Sequence, residues 1–189
     1  MEENTTIGHF KTRAEWREWL QDNHDKETEI WFVFPLRSSG EKAISYNDSV
    51  EEALCFGWID STVRTLDEHH KIQRFSPRNP KSDYSQPNKE RLRRLADKGL
   101  VLPAVMDRVS GMLNEDFVYP EDIVEAIRGD EAAWMHFQRF SEPYKRIRVA
   151  YIDAARKRPE EFRKRLNSFI DRTRNGKVIR GYGGIDQYY

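Results

Sequence analysis

Apolar residues recur at two different spacings along this chain, and the exchange of one for the other marks out its elements. Trp16, Trp19 and Leu20 fall on one helical stripe, and Thr12 with Glu15 three residues later forms a capping box, so a helix is expected to run to about Asn23. From Glu29 to Pro35 the residues are aromatic or β-branched almost without interruption, and the run is too short for a helix. It reads as a buried strand. Ser38-Ser39-Gly40 then turns the chain, and Asn47 or Ser49 caps a second helix carrying Val50, Ala53 and Leu54 to a stop at Gly57. Two further strands, near 61–66 and 71–76, flank Asp67-Glu68-His69-His70 as the arms of a hairpin.

Beyond residue 87 the spacing is helical throughout. Pro87 suits the first turn of a helix that stops at Gly99, with Arg91, Arg93, Arg94 and Lys98 on its exposed face. Pro103 and Pro120 open two more, and the intervening stretch from Asn114 to Pro120 is the expected boundary. Asp130, Ser141 and Pro159 each begin another segment, and in the last of these Phe162, Leu166, Phe169 and Ile170 form one apolar face. The tail from Arg180 to Tyr189 is too rich in glycine for regular structure, though its tyrosines and Ile185 suit docking on the body. These elements predict an α+β protein: a small antiparallel sheet packed by helices over residues 1–113, a helical module over 120–176, and a tail over 177–189. No internal repeat or low-complexity segment interrupts the pattern.

Composition changes this picture in three places. A chain of 189 residues with 38% hydrophobic and 34% charged residues and a mean hydropathy of -0.87 describes a globular protein with a heavily charged surface. No apolar run approaches spanning length, and MEENTTIGHFKTR lacks the order of a signal peptide, so the expected compartment is the cytoplasm. The formal charge is zero but unevenly spread: residues 1–70 hold 7 Lys and Arg against 15 Asp and Glu, and residues 131–189 hold 14 against 7. Two readings stand, a basic face for an anionic partner or two halves of one fold that attract each other.

Candidate chemistry concentrates between Glu51 and Asn88. Pro77, Pro80 and Pro87 stiffen a loop carrying Arg74, Arg78, Lys81, Ser82, Tyr84 and Ser85, and a stiff cationic loop beside a helix N-terminus is suited to an anion. With Trp58, Asp60 and Asn88 these residues outline an expected cleft for a small anionic ligand or an acidic protein partner. The alternative is structural, with the arginines paired to Asp60, Asp83 and the acidic first third. Arg64 and Arg74, on opposite arms of the hairpin, are expected to face one ligand. Asp60 is the candidate general base should the cleft be catalytic, although no second carboxylate accompanies it. Cys55 lies at a helix C-terminus, where the dipole raises a thiol pKa, and reads as core rather than nucleophile. His69 and His70 read as turn residues, because neighbours on a strand point apart and no third metal ligand is apparent. No metal or cofactor is expected. Nucleic acid is the remaining candidate partner, through Lys145, Arg146, Arg148, Arg156, Lys157, Arg158, Arg163, Lys164 and Arg165.

At EALCFGWID, then RFSPRNPKSDYSQPN and LADKGL, the chain resembles the YdeI/OmpD-associated family, also described as bacteriocin-protection proteins. Helix 142–156 followed by ARKRPEEFRKRL looks like that family's C-terminal helical module, and RGYGGIDQYY resembles endings among its members. Tyr84 stands where the family more often carries tryptophan, which preserves an aromatic packing role. The resemblance implies an α+β N-terminal part and a helical C-terminal part, and its labels imply a link to stress or to bacteriocin protection. It implies no particular reaction.

Overall fold

Ile30 to Val33 are apolar at every position because this strand is covered on both faces. Ile30 and Phe32 enter a core with Trp16, Leu20 and Phe75, while Trp31 and Val33 pack with Ile72 and Leu66 on the other side. The structure, a computed structural model, describes residues 6–181 and 185–188. Its contacts divide the chain into two units, residues up to Tyr84 with Arg91–Leu113, and Ser85–Glu90 with Asn114 onwards.

The first unit is α+β. Its strands are β1 (Ile7–Gly8), β2 (Ile30–Pro35), β3 (Trp58–Thr65) and β4 (His70–Pro77), in the order β1-β2-β4-β3. The β2–β4 and β3–β4 pairs are antiparallel, as expected. β1 is an addition, parallel to β2 and tied to it by the Trp31 N–H donating to the Thr6 carbonyl at 2.9 Å. Helix α1 (Arg13–Asn23) is capped by Thr12 as read. Helix α2 (Tyr46–Cys55) is capped instead by Ser45, whose hydroxyl accepts from the Asp48 N–H. Asn47, one of the expected caps, is buried and donates to Glu51 at 3.0 Å. Helix α4 (Pro103–Asn114) closes this core with Val105 and Val109. Cys55 is fully buried there, and burial pushes its thiol up to about 11, which removes it as a nucleophile.

Helix α3 (Gln86–Asp97) contributes its first turn to one unit and its remainder to the other. Arg91, expected on its exposed face, is buried, and its Nη2 donates to Asn47 Oδ1 at 2.9 Å. A buried amide oxygen at that position recruits the guanidinium inward.

The second unit is helical: α5 (Glu121–Arg128), α6 (Glu131–Arg139), α7 (Glu142–Asp153) and α8 (Pro159–Arg174). Asp130 and Ser141 cap α6 and α7 through side-chain acceptors. Ile123, Ile127, Phe137, Tyr144, Ile152 and Phe169 form its core. Glu90, 4% exposed, receives Arg146 through two bonds of 2.7 and 2.8 Å. Within the tail, expected to lack regular structure, Ile185–Tyr188 forms a 3-10 turn whose Ile185 and Tyr188 pack with Ile147. Tyr182 and Tyr189 lie outside the described residues.

At the hairpin tip His70 is held between two carboxylates, its Nδ1 2.9 Å from Asp67 and its Nε2 3.2 Å from Glu41. The Asp67 hydrogen bond raises its pKa above the ordinary 6.5. Because the folded value is raised, the stability it adds is present in acid and lost as pH rises through that value. An NMR titration of the imidazole should therefore show a midpoint above 6.5, and Asp67→Asn should lower it; an unchanged midpoint in the variant would remove Asp67 as the cause.

Candidate functional site

The Pro77–Tyr84 loop is shaped by its own side chains. Asn79 Oδ1 accepts from the Lys81 N–H at 2.9 Å and the Ser82 N–H reaches the Asn79 carbonyl at 3.0 Å, two bonds that wind the segment between Pro80 and Tyr84. The Arg78 guanidinium lies over the Tyr84 ring, 3.8 Å from its centroid, and donates to the carbonyls of Ser82 and Asp83. The Arg78 N–H donates to the Gly57 carbonyl at 2.9 Å, fastening the loop to the end of α2.

These residues line a pocket of about 240 Å³ with Asn79, Pro80, Val109 and Arg108, the last projecting from α4. Gly57 is at φ 74, and a Cβ there would sit 3.1 Å from Arg108 Nη2 and 3.3 Å from Val105 Cγ2. The left-handed backbone favours glycine here, and a Cβ would in addition press on Arg108 and Val105 of α4. Arg108 donates through Nε to the Ala104 carbonyl of its own helix at 3.1 Å. Among the described residues neither Arg78 nor Arg108 has a carboxylate within ion-pair distance. Arg78 Nε is also shielded from solvent with no hydrogen-bond partner. Two cations thus share one concavity with no counter-charge, an arrangement that an entering anion stabilises.

The structure separates the other residues of the expected cleft. Trp58 is 1% exposed within the core, and its indole N–H donates to the His24 carbonyl at 3.0 Å. Asp60 accepts from the Tyr46 hydroxyl at 2.8 Å and from the Gln73 amide at 2.6 Å. The hydroxyl stays protonated, since burial and then Asp60 itself raise its pKa. Asp60 opposes Phe75 in the register, so it shares the sheet face of Phe75 and Gln73, while Arg74 opposes Trp31 and points to the other face. One ligand cannot meet both within the sheet. Arg74 instead pairs with Glu29 at 2.6 Å and holds that carboxyl below its usual range. Arg64 does share the face of Arg74, but its guanidinium is stacked 4.6 Å from the Trp31 ring centroid. Ser85 and Asn88 belong to the second unit, where the Ser85 carbonyl accepts from the Lys89 N–H at 3.0 Å. Arg108 is the residue that sequence reasoning missed, and no local signal marks it, because only the packing of α4 against Gly57 brings it to the loop.

Of the proposed phosphate contacts, Lys145, Arg146, Arg156 and Arg165 are paired with Glu142, Glu90, Asp122 and Glu161 respectively. Among the described residues no group of three or more His, Cys, Asp or Glu is placed to hold a metal ion, and no helix is long and apolar enough to cross a membrane.

Residues 8–108, more than half of the chain, match the model of a domain of unknown function, DUF8412. Residues 116–176 match the bacteriocin-protection, YdeI or OmpD-associated family, OmdA. No curated protein and no solved structure matches the chain.

Proposed function

This chain belongs to the DUF8412 family and carries a YdeI/OmpD-associated module at residues 116–176, and from that premise we propose that it is a cytoplasmic binding protein for a small anion, seated between Arg78 and Arg108. The observation that supports this reading is the pair of guanidiniums lining one pocket without a carboxylate among the described residues. The pocket's size restricts the ligand: about 240 Å³ is roughly eight water-sized volumes, enough for a small carboxylate or a sugar phosphate. The Tyr84 ring and Pro80 supply an apolar wall for the ligand's carbon skeleton, and the Asn79 amide offers a neutral polar contact. Binding without turnover is favoured over catalysis because Asp60, the candidate base, is committed to Tyr46 and Gln73 and does not line the pocket. A role in stress or bacteriocin protection belongs to this proposal as the setting in which such a ligand is sensed.

Arg108→Ala is the clean test, since that side chain is exposed and bonds only within its own helix. In a calorimetric screen of small carboxylates and phosphates, the variant should bind the best wild-type ligand about tenfold more weakly, a change of about 1.4 kcal/mol, with an unaltered melting temperature. Arg78→Ala should lose affinity and also about 1–2 kcal/mol of stability, because its stacking on Tyr84 and its carbonyl contacts hold the loop. Equal affinity in Arg108→Ala and wild type, or no binder of either class, would sink the proposal.

A further inference from the structure

The second unit contains a pocket of about 360 Å³ between α7, α8 and the Ile179–Gly181 segment, and its walls are chemically divided. Ile152 and Phe169, each 1% exposed, supply an apolar floor with Ile179. Above them stand four cations, Arg148, Lys164, Arg165 and Arg180, against a single carboxylate, Glu161.

Two of the four are fixed by the protein. Arg165 bonds Glu161 at 2.7 Å and the Tyr151 carbonyl at 2.8 Å, with its guanidinium 3.8 Å from the Tyr151 ring centroid. Arg148 donates to the Ile179 carbonyl, which ties the segment after α8 to α7. The other two are uncommitted: among the described residues neither Lys164 nor Arg180 has a carboxylate within ion-pair distance or a side-chain hydrogen bond. Ser168, also on the wall, adds a hydroxyl with no hydrogen bond among the described residues.

We infer that this pocket binds a phosphate monoester carrying an aryl or short acyl body. Two uncommitted cations, beside Arg148 and the mutually neutralised Arg165–Glu161 pair, match a dianionic head group, with Lys164 acting as a mobile point charge and Arg180 as a planar fork. The floor of Ile152, Phe169 and Ile179 rewards an apolar body that inorganic phosphate lacks, and the volume is roughly twelve water-sized units, sufficient for a ring with its phosphate. The pocket shares no residue with the Arg78–Arg108 site, so either stands if the other fails.

The test titrates 1-naphthyl phosphate into the full chain by amide NMR and calorimetry, with 1-naphthol and inorganic phosphate as controls. Shifts should concentrate at residues 148–152, 161–169 and 178–181, and naphthyl phosphate should bind at least tenfold more tightly than either control. Lys164→Ala and Arg180→Ala, both at exposed positions, should each weaken it by about tenfold while retaining the wild-type melting temperature. Shifts confined to residues 78–84 and 104–109, binding of naphthol as tight as that of its phosphate, or affinity unaltered in both variants would each overturn the inference. Absence of binding at millimolar naphthyl phosphate would overturn it equally.

Discussion

Trp16→Ala should destabilise the first unit by about 5 kcal/mol, the upper end for truncating a buried aromatic. Trp16 is fully buried, with ring centroids of Phe10, Trp19, Phe32 and Phe75 between 5.0 and 5.5 Å away, so its removal opens a cavity that four rigid rings cannot collapse to fill. The change also removes the indole N–H that the Ser49 carbonyl of α2 accepts at 3.0 Å, a buried hydrogen bond tying α1 to α2. Trp16→Phe separates the two contributions, retaining most of the ring contact and losing about 1–2 kcal/mol through the hydrogen bond and residual volume. Urea unfolding followed by tryptophan fluorescence and by circular dichroism measures both. A loss below about 2 kcal/mol for Trp16→Ala would mean that the ring cluster is not what holds α1 to the sheet.

Glu52→Ala is expected to remove about 3 kcal/mol. Glu52 is 2% exposed and receives Arg13 Nε at one oxygen and Arg17 Nη1 at the other, the latter at 2.6 Å. Arg13 continues to Glu51 at 2.7 Å and Asp48 at 3.1 Å, so α1 and α2 are joined by an ionic network. The arginine side chains are 36% and 27% exposed and regain water when Glu52 is removed, which keeps the loss at the lower end for a broken buried pair. The double variant Glu52→Ala/Arg17→Ala should be destabilised by less than the sum of its single changes. Strict additivity in a denaturant series would show that the two charges are not coupled.

Much of the fold was written locally. Thr12, Asp130 and Ser141 each present a hydroxyl or carboxylate before an apolar periodic run, and each caps the helix expected of it. The α2 cap was misplaced by two to four residues because Ser45, Asn47 and Ser49 all offer capping oxygens, and only the core decides which one turns inward. β1 is two residues long, below the length at which alternation carries information, and it exists through its partner strand. Arg91 was legible as a cation on a helix but not as a buried one, because its acceptor lies 44 residues away.

The candidate site divides the same way. Arg78, Tyr84 and the stiff loop were visible as chemistry in a row, whereas Arg108 depends on packing across 30 residues of chain. Trp58 and Asp60 attracted attention through their neighbourhood in sequence, yet one is core and the other is spent on Tyr46 and Gln73.

The irregularity in β3 between Asp60 and Val63 has a consequence for how this strand tolerates change. Three steps along β3 there are matched by two along β4, so residues on either side of it follow opposite alternation. Asp60 and Arg64, an even number apart, would share a face in a regular strand, but here they are sent to different sides. The extra residue thus works as a phase shift in a two-letter code. Deleting Ser61 would restore a single phase without changing any other side chain. Arg64 would then leave the ring of Trp31, or Asp60 would leave Gln73, according to which half of the strand slides. Length at this point is as much a determinant of surface chemistry as residue identity.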